Sequence, residues 1–436
     1  MFRGTLGQRL LKQCDETFPK ILQRVAYIML MPFLPSGRTV FSLIQSHKRP
    51  QTHYKRGGLL KLRTYARFCR IFTALFSPLT FSCFLSFPVI FSHLIHQPVE
   101  IMMKLKTLSM ALAAASTALI ALSAHAADPK LAVVYGGGGK FDKSFNQSAY
   151  EGAERFKKAT KIGYLEAQVT TDAQGEQVLR QMARKEVDLV VAIGFTLAKA
   201  VETVSKEFPK VKFMIVDSVV PGANVSSVTF KEQEGSYLVG VAAALASKTQ
   251  KVGFVGGMDV PLIRAFGCGY AQGVKAVDPK IEVTQNMVGT TPAAWSDPAK
   301  GGELARAQID RGVDVVFAAA GGSGMGALQA VKDKNKLGIG VDSNQNPLHP
   351  GFILTSMLKR VDNAVFDGFT SVKDGTWKAG VIEKGLKEGG VDWALDENNR
   401  KLITPAMETR IKQASADILS GKVKVVDYRA ASSCPV

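Results

Sequence analysis

Histidine and cysteine are scarce. The 436 residues hold 6 His and 5 Cys, and Cys14, Cys69 and Cys83 all fall within the first hundred positions. Cys268 and Cys434 lie far apart with no CxxC or ligand spacing, which argues against a metal site and gives no reason to require a disulfide. Cys268 reads as a small buried apolar residue. Beyond position 126 the sequence retains His349 alone, inside the turn-like NPLHPG, and no GxSxG stands at a strand end. A Ser-His-Asp hydrolase would therefore have one base and no partner motif. Acids are missing from the first hundred residues apart from Asp15, Glu16 and Glu100, so that segment carries more than half of the formal net charge of +18. The remainder is mildly basic, with no clustered basic helix and no recognisable reader motif. That excludes the nucleic-acid binder which the total charge suggests.

What is present begins with a leader. Residues 103–126, MKLKTLSMALAAASTALIALSAHA, have the three parts of a secretory signal: Lys104 and Lys106, an apolar core at 110–122, and the small-x-small site Ala124-His125-Ala126. The core is short for a membrane span, which needs about 20 apolar residues. No Cys follows the cleavage site to suggest a lipid anchor. Residues 1–102, rich in Phe, Ser, His and Arg, are expected to be a non-native upstream extension, read through from a wrongly chosen start. The rival is a membrane anchor at 71–95.

From Ala127 onward, strand-like runs alternate with helical periodicity. Runs at 131–135, 164–169, 189–193, 213–216 and 225–230 read as strands, separated by helices at 148–159, 175–184 and 197–208. After a helix at 235–247 the pattern restarts, with strands at 252–255, 281–288, 313–318 and 339–341 and helices at 262–277, 298–311 and 325–334. Repeated βαβ units predict an α/β fold of two doubly wound parallel-sheet lobes joined by a hinge, with a ligand cleft between them. Lobe I is expected over 127–247, with about 361–400 returning to it. Lobe II is expected over 248–360, with 401–436 a candidate to return.

Glycine-rich stretches invite nucleotide readings. Gly136 to Lys140 resembles a phosphate loop, but Phe141 stands where Ser or Thr would bind magnesium. Gly322-x-Gly324-x-Gly326 follows a strand and opens a helix, and Asp342 ends the next strand. This is the strongest enzyme alternative, a dinucleotide-dependent oxidoreductase. Its spacing is GxGxG rather than GxGxxG, and the export signal leads away from any nicotinamide pool. The same glycines let backbone N–H groups approach a ligand at a helix N-terminus. No cofactor and no metal are expected. A sugar-responsive transcription factor is disfavoured by the export signal and by the absence of a DNA-reading helix pair.

Five stretches in order, DKSFNQSAYEGAERF, VGFVGGMDVPLIRAFGCGYAQGVKAV, AAAGGSGMGALQAV, GVDSNQN and TSMLKRVDNAV, resemble the basic membrane protein family of solute-binding proteins, which includes the purine nucleoside receptors of ABC importers. The resemblance covers about residues 130–375. It implies a type I periplasmic binding protein fold, two lobes joined by three crossings, and a periplasmic monomer that delivers its ligand to a transporter permease. Position by position it implies that Asp142 and Asn146 hydrogen-bond a base, with Phe145 and Phe266 beside it and Gly322 as a backbone contact. Asp342 and Lys359 would meet the ribose hydroxyls. Phe195, Asp217 and Trp295 are second-rank candidates. Asp142 and Asp342 are equally readable as helix caps or turn residues, and Phe266 as core. Phe141 departs from the Asn that such receptors often carry before the motif Asp. Another flat or sugar-bearing ligand is the alternative.

Overall fold

Five-residue runs such as LAVVY, LVVAI and VVFAA have no polar alternation, so each strand must be covered on both faces, as in a parallel sheet flanked by helices. The computed structural model, described here over residues 127–436, has this arrangement twice. Expectations for 1–102, for 103–126 and for an anchor at 71–95 concern residues outside those described. Among the described residues no helix is long and apolar enough to cross a membrane.

The first sheet has the order β11-β5-β4-β3-β1-β2, all parallel, from β1 (Leu131–Tyr135), β2 (Tyr164–Gln168), β3 (Leu189–Ile193), β4 (Lys212–Val216), β5 (Val225–Phe230) and β11 (Gly380–Lys384). Helices α1 (Phe145–Thr160), α2 (Gly175–Ala183), α3 (Ala198–Glu207) and α8 (Val361–Lys373) cover it. The second sheet has the order β12-β10-β9-β8-β6-β7. It is built from β6 (Lys251–Met258), β7 (Glu282–Gly289), β8 (Val315–Ala319), β9 (Leu337–Asp342), β10 (Ile353–Lys359) and β12 (Val391–Trp393), the last antiparallel to β10. Its helices are α4 (Glu232–Ala246), α5 (Pro261–Val277), α6 (Pro298–Asp310), α7 (Gly322–Asp333), α9 (Pro405–Leu419) and α10 (Tyr428–Ala431). Two α/β lobes result. The chain crosses between them three times: from β5 into α4, from β10 into α8, and from β11 into β12. The crossings are bonded to one another, Lys231 N–H to Lys384 O at 3.1 Å and Arg360 N–H to Gly390 O at 2.8 Å.

Several local expectations differ from the structure. The strand expected to end at 255 continues through Gly256-Gly257 to Met258, with Gly256 paired to both Met287 and Ala319. Glycine is needed there for proximity rather than for a turn: a Cβ on Gly257 would stand 2.2 Å from the Trp295 ring. Helix α4, expected with the first lobe, packs on α5 and β10 of the second. Gly240 permits this, since a Cβ would lie 2.2 Å from Tyr270 O. Within 361–400, α8 and β11 join the first lobe and β12 the second, while α9 and α10 pack on α4 and α5.

The cysteine expectation is corrected outright. Cys268 of α5 and Cys434 form a disulfide with Cα atoms 5.6 Å apart, 166 positions apart in sequence. Spacing gave no hint because the partner comes from the chain terminus, folded back across α5. A bridge closing so long a loop stabilises by up to about 5 kcal/mol in the chain-entropy account. Reduction should therefore lower the thermal midpoint by several degrees, read by circular dichroism with and without reductant. Identical midpoints would show that the tail contributes nothing to the cooperative unit.

Candidate functional site

In parallel α/β sheets, ligand sites form beyond the carboxyl ends of strands. Here the carboxyl ends of β1, β3, β4, β8, β9 and β10 all border one cleft between the lobes, with about 700 Å³ of empty space counting its open mouth. Asp142, Phe145, Asn146, Phe195, Asp217, Phe266, Trp295, Asp342 and Lys359, all singled out from sequence, line it. Gly322 does not. Its neighbour Gly321 does, while Gly322 lies behind, against the Trp295 carbonyl.

One wall is apolar. Phe145 opens α1 in the first lobe, and Phe266 lies in α5 of the second, buried at 3% exposure and part of the core as well as of the cleft. Leu262, Ile263 and Ile193 extend the wall. Trp295 stands between the lobes, its ring edge-on to Phe195 at 6.5 Å and against the backbone of Gly257. Phe141, the departure from the family pattern, is 61% exposed, packs on Tyr150, and does not line the cleft.

The polar groups are nearly all engaged. The Asp142 carboxylate accepts the backbone N–H groups of Ser144 (2.8 Å) and Gln147 (3.1 Å) on Oδ1 and of Asn146 (3.0 Å) on Oδ2. It therefore caps the amino end of α1, the alternative weighed above. A carboxylate has about four acceptor positions, so one remains on Oδ2. Burial raises its pKa, and these N–H donors oppose that rise. Asn146 donates Nδ2 to Gly137 O at 3.1 Å, while its Oδ1 is buried without a partner.

Lys359, at the end of β10, is fully buried. Its Nζ donates to Asp217 Oδ2 at 2.6 Å and stands 3.0 Å from Glu232 Oε1. The rings of Phe145, Phe230 and Phe266 surround the ammonium at 5.2, 5.1 and 5.4 Å. Burial opposes its charge, but Asp217, Glu232 and Asp342 hold the pKa above the ordinary lysine value. Asp217 and Asp342 end equivalent strands, β4 and β9, and both adopt left-handed backbone, φ 70° and 62°. Asp and Asn tolerate that region better than most residues, and such conformations cluster at functional sites. Asp217 Oδ1 is buried and unpartnered. Asp342 Oδ2 accepts from Ser144 Oγ at 2.5 Å, and Ser343 Oγ donates to Ser144 O at 2.9 Å, so the lobes are latched directly across the cleft. Neither Glu232 nor Ser144 was anticipated. Glu232 carried a signal, as a carboxylate two residues beyond a strand; Ser144 carried none beyond its place in the motif.

A two-lobed α/β protein with hinge crossings and an enclosed interlobe cleft is a solute-binding protein in form. The chain belongs to the family described as ABC transporter substrate-binding protein PnrA-like, whose model matches residues 129–426. It is 36% identical over 321 residues to the "ABC transporter nucleoside-binding protein BmpA" of Lactococcus lactis subsp. cremoris, across 68% of this chain and 89% of that one. It is equally similar, 36% over 321 residues, to the "CD4+ T-cell-stimulating antigen" of Listeria monocytogenes, across 68% and 88%. Among solved structures, an ABC transporter solute-binding protein from Aeropyrum pernix K1 aligns with a TM-score of 0.64 at 28% identity, covering 69% of this chain and 93% of that one. The family is one of binding proteins, not of oxidoreductases.

Burial pushes the Asp342 carboxyl up to about 6, only partly countered by Lys359 and the Ser144 hydroxyl. The folded value lies above the unfolded one, so the folded chain holds this proton more tightly. The stability so contributed is complete below about pH 4 and is lost as pH rises through about 6. Asp342→Asn, which keeps a side chain suited to φ 62° and removes the charge, should stabilise the ligand-free protein at pH 7.5 by on the order of 1–3 kcal/mol. It should also flatten the fall in stability between pH 4 and 7. Denaturant melts at several pH values check this, and a destabilised variant at pH 7.5 would mean that the charged form is the favoured one.

Proposed function

We propose that this chain is the extracytoplasmic receptor of an ABC importer, exported by the signal at 103–126, and that it encloses a purine nucleoside in the interlobe cleft. The observation that carries this is the division of the cleft into an apolar wall and a buried ionic end. Phe145, Phe266 and Trp295 suit the faces of a flat base, which gains from aromatic contact and exclusion of water. Asn146 Oδ1 and the remaining acceptor position on Asp142 suit base N–H donors. Asp217 and Asp342 offer carboxylate oxygens to hydroxyl donors, and Lys359 has N–H capacity beyond the bond it makes to Asp217. That set matches a ribose. The printed name of the Lactococcus relative, a nucleoside-binding protein, supports the same choice. Groups from both lobes must meet the ligand at once, so capture requires closure, and a permease receives the closed form.

Calorimetric titration with adenosine, guanosine and inosine, their 2′-deoxy analogues and the free bases tests the proposal. At least one nucleoside should bind saturably. Loss of a hydroxyl paired to a charged group removes roughly 1.5–3 kcal/mol, so the deoxy form should bind at least about tenfold more weakly. Asp342→Asn should weaken the nucleoside similarly while leaving the free base nearly unaffected. Failure of all three nucleosides, together with binding of a free sugar or another flat solute, would transfer the site to the alternative ligand class.

A further inference from the structure

The C-terminal strap brings a charge to the base of the cleft from outside both sheets. Beyond α9 the chain runs back over α5, where Val426 exchanges two hydrogen bonds with Gln272, 2.8 Å from its N–H to Oε1 and 3.0 Å from Nε2 to its carbonyl. Cys434 is then bonded to Cys268. Between these two ties Arg429 turns inward. Its Nη1 lies 3.1 Å from Glu232 Oε2, and its Nη2 donates to Phe230 O at 2.9 Å and to Asp427 Oδ2 at 2.8 Å. Glu232 is fully buried at the first interlobe crossing, and its other oxygen faces Lys359. Charges thus alternate without interruption from the strap to the cleft: Asp427, Arg429, Glu232, Lys359, Asp217. The last two line the cleft; Arg429 and Glu232 do not.

We propose that Arg429 is a positioning residue for ligand capture, neutralising Glu232 from behind so that Lys359 and Asp217 each keep one polar position free for the ligand. Resting on the nucleoside reading above, this assigns to the strap a part in binding as well as in stability. An ammonium has three N–H donors; one bonds Asp217 Oδ2, and Glu232 Oε1 stands 3.0 Å away as an ion-pair partner without a hydrogen bond. While Arg429 shares the Glu232 charge, Lys359 is held between two acids of comparable pull. Without Arg429 the whole Glu232 charge falls on Lys359, and Glu232 Oε2 is left buried with no counter-ion. Three carboxylates, Asp217, Glu232 and Asp342, then face one ammonium, with Asp142 and Asp427 beyond them. Such an arrangement relaxes by drawing Lys359 toward Glu232 or by taking up a proton, and either change alters the groups that meet a hydroxyl. Burial already raises the pKa of Glu232, with Lys359 and then Arg429 opposing it.

The test compares wild type, R429Q and the double variant E232Q/R429Q, each first shown to be folded by circular dichroism, with whichever of adenosine, guanosine and inosine binds wild type most tightly. R429Q should bind at least about tenfold more weakly at pH 7.5, whereas E232Q/R429Q, which removes acid and counter-ion together, should return to within about threefold of wild type. A strap that merely tethers the tail predicts no such recovery. R429Q with unchanged affinity, or a double variant as weak as R429Q, overturns the proposal. If R429Q alone fails to fold, the double variant must still fold and bind within about threefold for the proposal to stand. A wild-type chain that binds none of the nucleosides overturns the functional reading and this inference with it; loss of rescue in a wild type that does bind overturns the inference alone.

Discussion

The site depends on one buried ammonium. Taking an isolated cation out of water costs several kcal/mol even after relaxation, so Lys359 can stand at the end of β10 only if acids are brought to it with good geometry. They come from three parts of the chain: Asp217 from the first lobe, Glu232 from a crossing segment, and Asp342 from the strand beside it. Three aromatic rings stand around the ammonium at 5.1–5.4 Å and attract the cation through their faces. Loss of Lys359 would leave buried acids uncompensated at the hinge itself. Charge compensation therefore fixes where the two lobes meet, and the cleft is the space that remains above it.

The two lobes supply this constellation from matching places. Each sheet has the same strand order, so β4 corresponds to β9 and β5 to β10. Asp217 and Asp342 end the first pair, both in left-handed backbone, while Phe230 and Lys359 end the second. Phe145 and Phe266 lie in the helices that follow the first strand of each sheet. Equivalent positions have thus taken complementary roles, with an acid from each lobe and an aromatic ring from each lobe around a lysine from one.

Much of this was legible in sequence because buried parallel strands are written as unbroken apolar runs, and because strand-end residues in such folds face ligands. Nine strands and seven helices were placed within a few residues on that basis. β10, β11 and β12 were not: Lys359 at the end of β10 was singled out only through the family resemblance, GVIEK of β11 is an exposed edge strand with no apolar periodicity, and β12 has only three residues. The Asp142 cap was an open alternative because a carboxylate three residues before the start of a helix serves backbone N–H groups and a ligand equally well. Arg429 and the Cys268–Cys434 bridge were beyond reach for one reason: both depend on the tail folding back over α5, and no local pattern encodes a contact 166 residues away.

Two buried acceptors at the site lack donors, Asn146 Oδ1 and Asp217 Oδ1. An unsatisfied buried polar group costs about 1–3 kcal/mol, and Asp342 adds the expense of an acid held away from water. These penalties belong to the arrangement of side chains at the cleft. A solute that donates to both acceptors removes them, so its affinity includes relief of strain already present as well as its own contacts. A solute of the same shape without donors leaves them in place and desolvates them further. Under the proposed nucleoside reading, selection rests on donors at two separated points, one beside α1 and one beside Lys359, which a free base or a free sugar can satisfy singly but only a molecule spanning both can satisfy together.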